Sequence, residues 1–299
     1  MQPAQRQKYR QVFLESLGPN LSKSTLQLKM YAVDGFLSYL DSRGIEDFKK
    51  FNIVIVYDYI LTLKYSSSTV CLIKFNIRMF FDSLYNARMT DTYGRKIFPV
   101  IHSNKRDRIP SFYNDVEIQQ MLLSLESRST NPLKRKCMVL IATLMGLRVS
   151  DILNLKLSEI KWDKNLIELP QRKTGNTVSV PMPENIKLLL IDYLKNKRPK
   201  TESEHVFLKE TGEEYTSNIL YNIVSKAFKK SNVEIGFRKH GPHALRHSLA
   251  TRLLKDNTPI HVITGILGHK NMNSTKQYLS INIGELRALS LEVPEYENN

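Results

Sequence analysis

The chain has 299 residues, enough for two ordinary domains with separate cores, and 44 Lys and Arg against 29 Asp and Glu give it a formal net charge of +15. So basic a chain favours a polyanionic partner such as nucleic acid, and the excess lies in residues 1–200. No stretch approaches the ~18 uncharged apolar residues of a membrane span, and the first ten residues lack the apolar core of a signal peptide. We therefore expect a cytoplasmic protein, neither secreted nor inserted in a membrane.

The N-terminal part of the chain has the periodicity of helices. In segment 24–40 apolar residues recur at intervals of three and four, which places one apolar stripe on a helix that a preceding serine can cap. A stripe of the same kind occupies 70–84 behind a run of serines, and a shorter helix is expected at 53–63. We predict a small helical bundle as the first domain, residues 1–100.

Residues 101–112 lack this periodicity and contain a run of cations, Lys105, Arg106 and Arg108. We predict a basic linker here. A linker between two domains is well placed to touch a phosphate backbone, and a solvated charge run is an equally good interpretation.

A second domain of α+β type is predicted over residues 113–299. Its first helix starts at Asn114, which forms a capping box with Glu117, and a helix over 133–145 stops at Gly146. Two β-favouring runs in 166–181, joined across a Lys-Thr-Gly-Asn turn, have the signature of a hairpin. The remaining helical patterns are 184–196, 216–231, 242–255, 259–267, 271–280 and 284–291. The predicted fold class is mainly α with a small β-sheet.

The two cysteines, Cys71 and Cys137, both lie in apolar helical patterns. We expect both to be buried thiols in a reducing compartment, because a cytoplasmic chain with so few cysteines has no disulfide framework.

Five of the seven histidines fall between residues 240 and 269. His243 and His247 are four residues apart and can share a helix face as zinc ligands do. No Cys, Asp or Glu stands nearby at a ligand-like spacing, and Arg246 between the two would repel a divalent cation. We therefore expect no metal site, and for His247 and His261 taken individually a structural role is the better interpretation.

Five short motifs favour a catalytic site over a metal site or a set of structural histidines. Their order and spacing resemble the site of the tyrosine recombinase, or phage integrase, family. They are Met145-Gly146-Leu147-Arg148-Val149-Ser150-Asp151, Lys173 in the hairpin, His243-Ala244-Leu245-Arg246, Leu267-Gly268-His269, and Tyr278. Each motif alone is unspecific, whereas the ordered set is highly specific. The resemblance covers the C-terminal half by motif and the N-terminal half only in kind, as a helical core-binding (SAM-like) DNA-binding domain.

The resemblance implies site-specific DNA recombination without a cofactor, in which strands are cleaved and rejoined through a 3′-phosphotyrosine intermediate. Tyr278 is then the nucleophile, and His243 assists it, since a tyrosine hydroxyl with a pKa near ~10 is protonated at neutral pH. Arg148 and Arg246 supply fixed cations for the charge on the non-bridging oxygens, a task that suits the bidentate guanidinium group.

The resemblance assigns the general acid to Lys173, which protonates the departing 5′-oxygen. His269 donates a hydrogen bond to the phosphate, and Asp151 orients Arg148 or His243. The alternative for Asp151 is a helix-start carboxylate beside Ser150. Arg172, next to Lys173, is expected to contact DNA.

The implied partner is double-stranded DNA with paired recombination sites, bound by a homo-oligomer, a tetramer on DNA. The apolar residues of 283–291 suit docking on a neighbouring protomer as in the family, and packing within one chain is almost as good an interpretation. The short segment before the first helix favours a simple Xer-like or transposon-type enzyme. A type IB topoisomerase and a non-catalytic DNA-binding accessory factor are the alternatives.

Overall fold

The computed structural model describes residues 1–49, 51–98, 110–126, 131–173, 175–216, 219–269, 273–276 and 278. The chain divides into two compact units, Met1–Asn104 and Lys105–Asn299. Most of the predicted linker, with Lys105, Arg106 and Arg108, lies outside the described residues, as does the predicted helix 284–291. The core-binding and catalytic assignments of the two parts stay predictions.

The described part of the first unit is helical. Its helices are α1 (Pro3–Ser16), α2 (Lys23–Ser42), α3 (Val54–Thr62), α4 (Ser67–Asn86) and α5 (Gly94–Ile97). The predicted caps form, because the Ser22 hydroxyl accepts a hydrogen bond from the backbone of Thr25 at 3.2 Å and Ser66 repeats the arrangement with Thr69.

An aromatic core holds the first unit together. Phe36, Phe80 and Phe81 are fully buried, and their rings meet at tilted or edge-on angles 5.9 Å apart. The prediction that Cys71 is buried is wrong, because Cys71 is exposed. It lies about 200° around α4 from Ile73, and Ile73 belongs to the buried stripe.

The second unit combines helices with a three-stranded antiparallel sheet in the order β1-β2-β3. The strands are β1 (Ile160–Lys161), β2 (Leu166–Pro170) and β3 (Thr177–Pro181). The helices are α6 (Asp115–Leu123), α7 (Pro132–Leu140), α8 (Val149–Leu153), α9 (Glu184–Asp192), α10 (Ile219–Lys230), α11 (Pro242–Lys255), α12 (Ile260–Leu267) and α13 (Asn273–Lys276). The predicted fold class, mainly α with a small β-sheet, is confirmed.

Several local predictions for the second unit are confirmed. Asn114 and Glu117 form both bonds of the capping box at the start of α6. After α7 the helix continues as a π-helical turn, Ile141–Met145. This turn ends at Gly146, which has φ +65°. Cys137 is fully buried in the core between these helices and the sheet. Within the described residues, no helix is long and apolar enough to cross a lipid bilayer.

The β2–β3 hairpin buries one face. Ile167 pairs with Val180 and Leu169 with Val178, and all four side chains are buried while the residues between them on each strand are exposed. Beyond the strands the pairing continues, because the Gln171 N–H donates to the Asn176 carbonyl at 2.9 Å. The hairpin thereby fixes the backbone on which Arg172 and Lys173 stand.

Candidate active site

Arg148 reaches the site because the chain turns sharply after Gly146. At φ +65° that glycine tolerates no side chain, and a Cβ there would come within 2.7 Å of Leu249. Arg148 then occupies the residue before α8, and its guanidinium donates to the side-chain oxygen of Gln171 and to the carbonyl of Gly268, the latter at 3.3 Å. Burial lowers the pKa of Arg148, and the negative charge of Asp151 partly offsets this.

Arg246 comes from the first turns of α11 and is almost completely buried, with 5% of its surface exposed. Its guanidinium donates to the carbonyls of Gly146 and Leu267. Burial and then the nearby charge of Arg148 lower the pKa of Arg246 to about 10, so the group is still cationic at neutral pH. The two arginines predicted from the motifs therefore lie together, against adjacent carbonyls at the end of α12.

Gly268 creates this pair of carbonyls. It closes α12 in the left-handed region at φ +57°, and the next residue, His269, donates its N–H back to the Thr264 carbonyl at 3.1 Å. The closing turn directs the carbonyls of Leu267 and Gly268 at the two guanidinium groups.

His269 follows directly and packs beside the arginines. Its Nδ1 lies 2.8 Å from the Thr275 hydroxyl, which also accepts a hydrogen bond from Thr264. Burial, followed by the charges of Arg246 and Arg148, lowers the pKa of His269 to about 4. The imidazole is therefore neutral at pH 7 and has one N–H donor.

Tyr278 is placed one short turn beyond α13, where its N–H donates to the Thr275 carbonyl at 3.0 Å. Only 1% of the residue is exposed, and its ring packs in an apolar cluster with Ala250, Ile263 and Leu267. The Tyr278 hydroxyl lies 2.8 Å from Nδ1 of His247, and the two rings are 5.5 Å apart. The phenol is thus held beside the arginine site, and ionisation of Tyr278 would raise the pKa of both arginines.

In this structure the Tyr278 hydroxyl contacts His247 and not His243, the histidine that was predicted to assist it. His247, for which a structural role was the better interpretation, contacts the Tyr278 hydroxyl, and burial lowers the pKa of His247 to about 4. His243 lies at the start of α11 with part of its surface exposed, and the partial burial of its ring, followed by the charges of Arg246 and Lys173, lowers its pKa. The signal for His247 was only its position one turn after His243 on the same helix.

Lys173 and Arg172 are exposed in the hairpin turn. The charge of Lys173 contributes to the lowered pKa of His243. Asp151 ties the base of the turn to α8, because its buried carboxylate accepts a hydrogen bond from the backbone N–H of Arg172 at 3.1 Å. Ser150 also donates to this oxygen at 3.3 Å, and among the described residues the second oxygen has no hydrogen-bond partner.

The site therefore gathers two arginines on adjacent backbone carbonyls, with imidazoles and the buried Tyr278 hydroxyl beside them. No group of three or more His, Cys, Asp or Glu side chains in the described residues is arranged to hold a metal ion. An arrangement of this kind suits a phosphate ester, because guanidinium groups pair with phosphate oxygens and a tyrosine hydroxyl supplies a nucleophile. The fold and site thus define a phosphoryl-transfer protein that acts on a nucleic-acid backbone.

Comparisons with known proteins agree with that class. The model of the phage integrase family matches residues 112–284, more than half of the chain, and the chain therefore belongs to this family of tyrosine recombinases, which are site-specific DNA recombinases. The tyrosine recombinase of Thermosipho africanus is 25% identical over 190 residues, which cover 63% of this chain and 64% of that protein. Tyrosine recombinase XerC of Bacillus pumilus is 26% identical over 301 residues and 94% of each chain.

Solved structures show the same fold. A lambda integrase dimer bound to a COC′ core site superposes with a TM-score of 0.73 at 17% identity, over 92% of this chain and 94% of that one. The XerH site-specific recombinase in a post-cleavage complex with its palindromic difH substrate gives a TM-score of 0.74 at 17% identity, over 90% of this chain and 80% of that one.

Proposed function

We propose that this chain cleaves and rejoins double-stranded DNA at specific sites through a 3′-phosphotyrosine intermediate on Tyr278. The observation that carries the proposal is the meeting of Arg148 and Arg246 on the adjacent carbonyls of Leu267 and Gly268, with Tyr278 held beside them. Two fixed cations at one point are what a metal-free phosphoryl transfer requires, since charge accumulates on the non-bridging oxygens.

The forward step breaks one phosphoester bond and forms another. The Tyr278 oxygen attacks phosphorus, its proton passes to an imidazole, and the bond from phosphorus to the 5′-oxygen breaks. His247 contacts this hydroxyl before DNA binds, and His243 is the imidazole that takes the proton once Tyr278 has moved. Lys173 in the exposed turn donates a proton to the leaving oxygen. The 5′-hydroxyl of a second strand then attacks the phosphotyrosine, forms a new phosphodiester and releases Tyr278. Resealing needs no ATP because the phosphotyrosine link keeps the energy of the broken phosphodiester.

DNA binding has to release the nucleophile first. With 1% of Tyr278 exposed, a phosphate meets the phenol only after its hydroxyl leaves the buried contact with His247. His243 is exposed at the same end of α11 and is the imidazole that meets the phenol once Tyr278 has moved. His269 donates to a phosphate oxygen, and Asp151 fixes the hairpin that carries Lys173.

The substrate and assembly follow from the charge and the relatives. Net charge +15 favours a polyanion, and solved neighbours are a lambda integrase dimer on a core site and XerH on a palindromic substrate. We therefore propose paired sites on double-stranded DNA and a homotetramer on DNA, within the cytoplasm. The first unit serves as the core-binding domain, and the cations Lys105, Arg106, Arg108 and Arg172 contact the backbone.

The test begins with the unknown target sequence. Full-length Tyr278→Phe chain, which keeps the binding surface, is used to select bound duplexes from random-sequence DNA and from the DNA flanking its gene. The parent chain is then given the selected duplex with a nick that traps the cleaved strand. The proposal predicts a covalent adduct on a denaturing gel with the parent and none with Tyr278→Phe. Equal adduct yields from both chains would remove Tyr278 from its role.

A further inference from the structure

We infer that Gln171 is a positioning residue, whose side-chain amide fixes the positions of the two phosphate-binding arginines, Arg148 and Arg246, relative to each other. Gln171 lies outside the five sequence motifs. The inference rests on the proposed function and deepens it, because it concerns how the cationic site is held rather than which group attacks.

The Gln171 amide is the connecting point of the site. The residue is 1% exposed, its oxygen accepts from the Arg148 guanidinium, and its nitrogen donates to the Leu267 carbonyl at 3.2 Å. That same carbonyl accepts from Arg246. The buried Gln171 side chain therefore links Arg148 to Arg246, because the Leu267 carbonyl accepts from both Gln171 and Arg246. The Gly268 carbonyl is a second hydrogen-bond acceptor for Arg148.

The amide of Gln171 meets two requirements at once, because it accepts from Arg148 and donates to Leu267. A carboxylate at position 171 would accept from Arg148 but has no hydrogen to give Leu267, and its charge would compete with the phosphate for the guanidinium. An aliphatic side chain would leave the buried Leu267 carbonyl with one donor fewer. The neutral amide orients Arg148 without cancelling its charge, and guanidinium has five N–H donors, so donors remain for a phosphate.

Gly268 makes room for this amide. A Cβ at position 268 would collide with both polar atoms and the carbon of the Gln171 amide, in addition to the unfavourable φ of +57°. The glycine in Leu267-Gly268-His269 is thus matched to a partner on another element, the hairpin. Two positions almost a hundred residues apart are packed as one unit.

Gln171 also closes the hairpin through its backbone. Its N–H donates to Asn176 at 2.9 Å and its carbonyl accepts from Gly175 at 2.8 Å. A side-chain substitution keeps these backbone bonds and so keeps the turn that carries Lys173. The effect of the amide on the arginines is therefore separable from an effect on the general acid.

The test measures the adduct-forming rate of full-length Gln171→Met and Gln171→Glu. Exposed Glu168 on β2, three residues before Gln171 and replaced as Glu168→Gln, is the matched control. Both Gln171 variants should cleave roughly 10²-fold more slowly, the loss typical of a misplaced reacting group, while Glu168→Gln cleaves at the parental rate. If Gln171→Met does not fold, the isosteric Gln171→Glu carries the same comparison.

Two substrates and one double variant separate positioning from a general structural role. A methylphosphonate at the cleaved position removes one non-bridging charge, so the defects of the Gln171 variants and of Arg148→Ala should both shrink on it. A bridging 5′-sulfur, which relieves the need for a general acid, should leave them in place. On an Arg148→Ala background, Gln171→Met should cause little further loss, because its effect passes through that arginine.

The outcomes distinguish this inference from the proposed function. No adduct from the parent chain would refute the proposed function itself. Parental cleavage by Gln171→Met, or full additivity with Arg148→Ala, would overturn the positioning role and leave the proposed function standing. A defect relieved by the 5′-sulfur instead would overturn it in favour of an effect on the Lys173 hairpin.

Discussion

His247 offers a test of the buried contact with Tyr278 that requires no knowledge of the DNA target. The perturbation is His247→Gln, in which an amide of similar reach keeps a hydrogen bond to the phenol but does not titrate. Burial, followed by the charges of His243 and Arg246, lowers the pKa of His247 from its ordinary 6.5 to about 4. A neutral, partly buried imidazole therefore resists protonation until acid conditions.

The sign and size follow from the two pKa values. Because the folded chain holds this proton more weakly than the unfolded chain, the contribution of His247 to stability is present above pH 6.5 and is lost as the pH falls towards 4. The complete loss is roughly 3 kcal/mol, and about 2 kcal/mol of it falls between pH 7 and pH 5. The parent should therefore lose about 2 kcal/mol more than His247→Gln over that interval.

The single tryptophan makes the measurement local. Trp162 lies in the second unit, so its fluorescence during urea unfolding of the full-length chain reports that unit. Unfolding free energies of parent and variant are compared at pH 7 and pH 5, and an NMR titration of the His247 ring gives its pKa directly. Parallel pH dependences together with a His247 pKa near 6.5 would refute the buried contact.

Three further predictions concern catalysis and packing. Lys173→Ala should bind DNA but cleave roughly 10²–10⁴-fold more slowly, and a bridging 5′-sulfur should remove most of that defect; an equal defect on both substrates would assign the acid to His269. Cleavage should persist in EDTA, and its loss with recovery on adding Mg²⁺ or Zn²⁺ would contradict the metal-free site. Gly268→Ala should destabilise the second unit by about 1–3 kcal/mol more than Gly236→Ala. Both glycines have positive φ, but only a Cβ at position 268 would collide with the Gln171 amide. Equal losses of unfolding free energy in urea would refute the packing of Gln171 against Gly268.

The sequence predicted those parts of the second unit that depend on local chemistry. The Asn114 capping box, the stop at Gly146 and the β2–β3 hairpin all follow from neighbouring residues, and the structure contains each of them. The ordered motifs also predicted that Arg148 and Arg246 would meet, because a resemblance to a known family carries information about distant parts of the chain.

The missed features depend on contacts between distant elements. Gln171 and Gly268 are almost a hundred residues apart, and no periodicity links them. The contact of His247 with Tyr278 depends on how α12 packs against both α11 and α13, so the sequence showed only a histidine one helical turn beyond His243. The prediction for Cys71 was wrong for a different reason, since Cys71 has apolar neighbours in the sequence but lies off the buried stripe that contains Ile73.

The most direct test of the central proposal is to locate the covalent bond. Parent chain trapped on the nicked duplex is digested with protease, and the DNA-linked peptide is sequenced by mass spectrometry. The account predicts a single attachment, at Tyr278, through the 3′-phosphate of the cleaved strand with a free 5′-hydroxyl on the other side. Attachment at another residue, or through a 5′-phosphate, would contradict it.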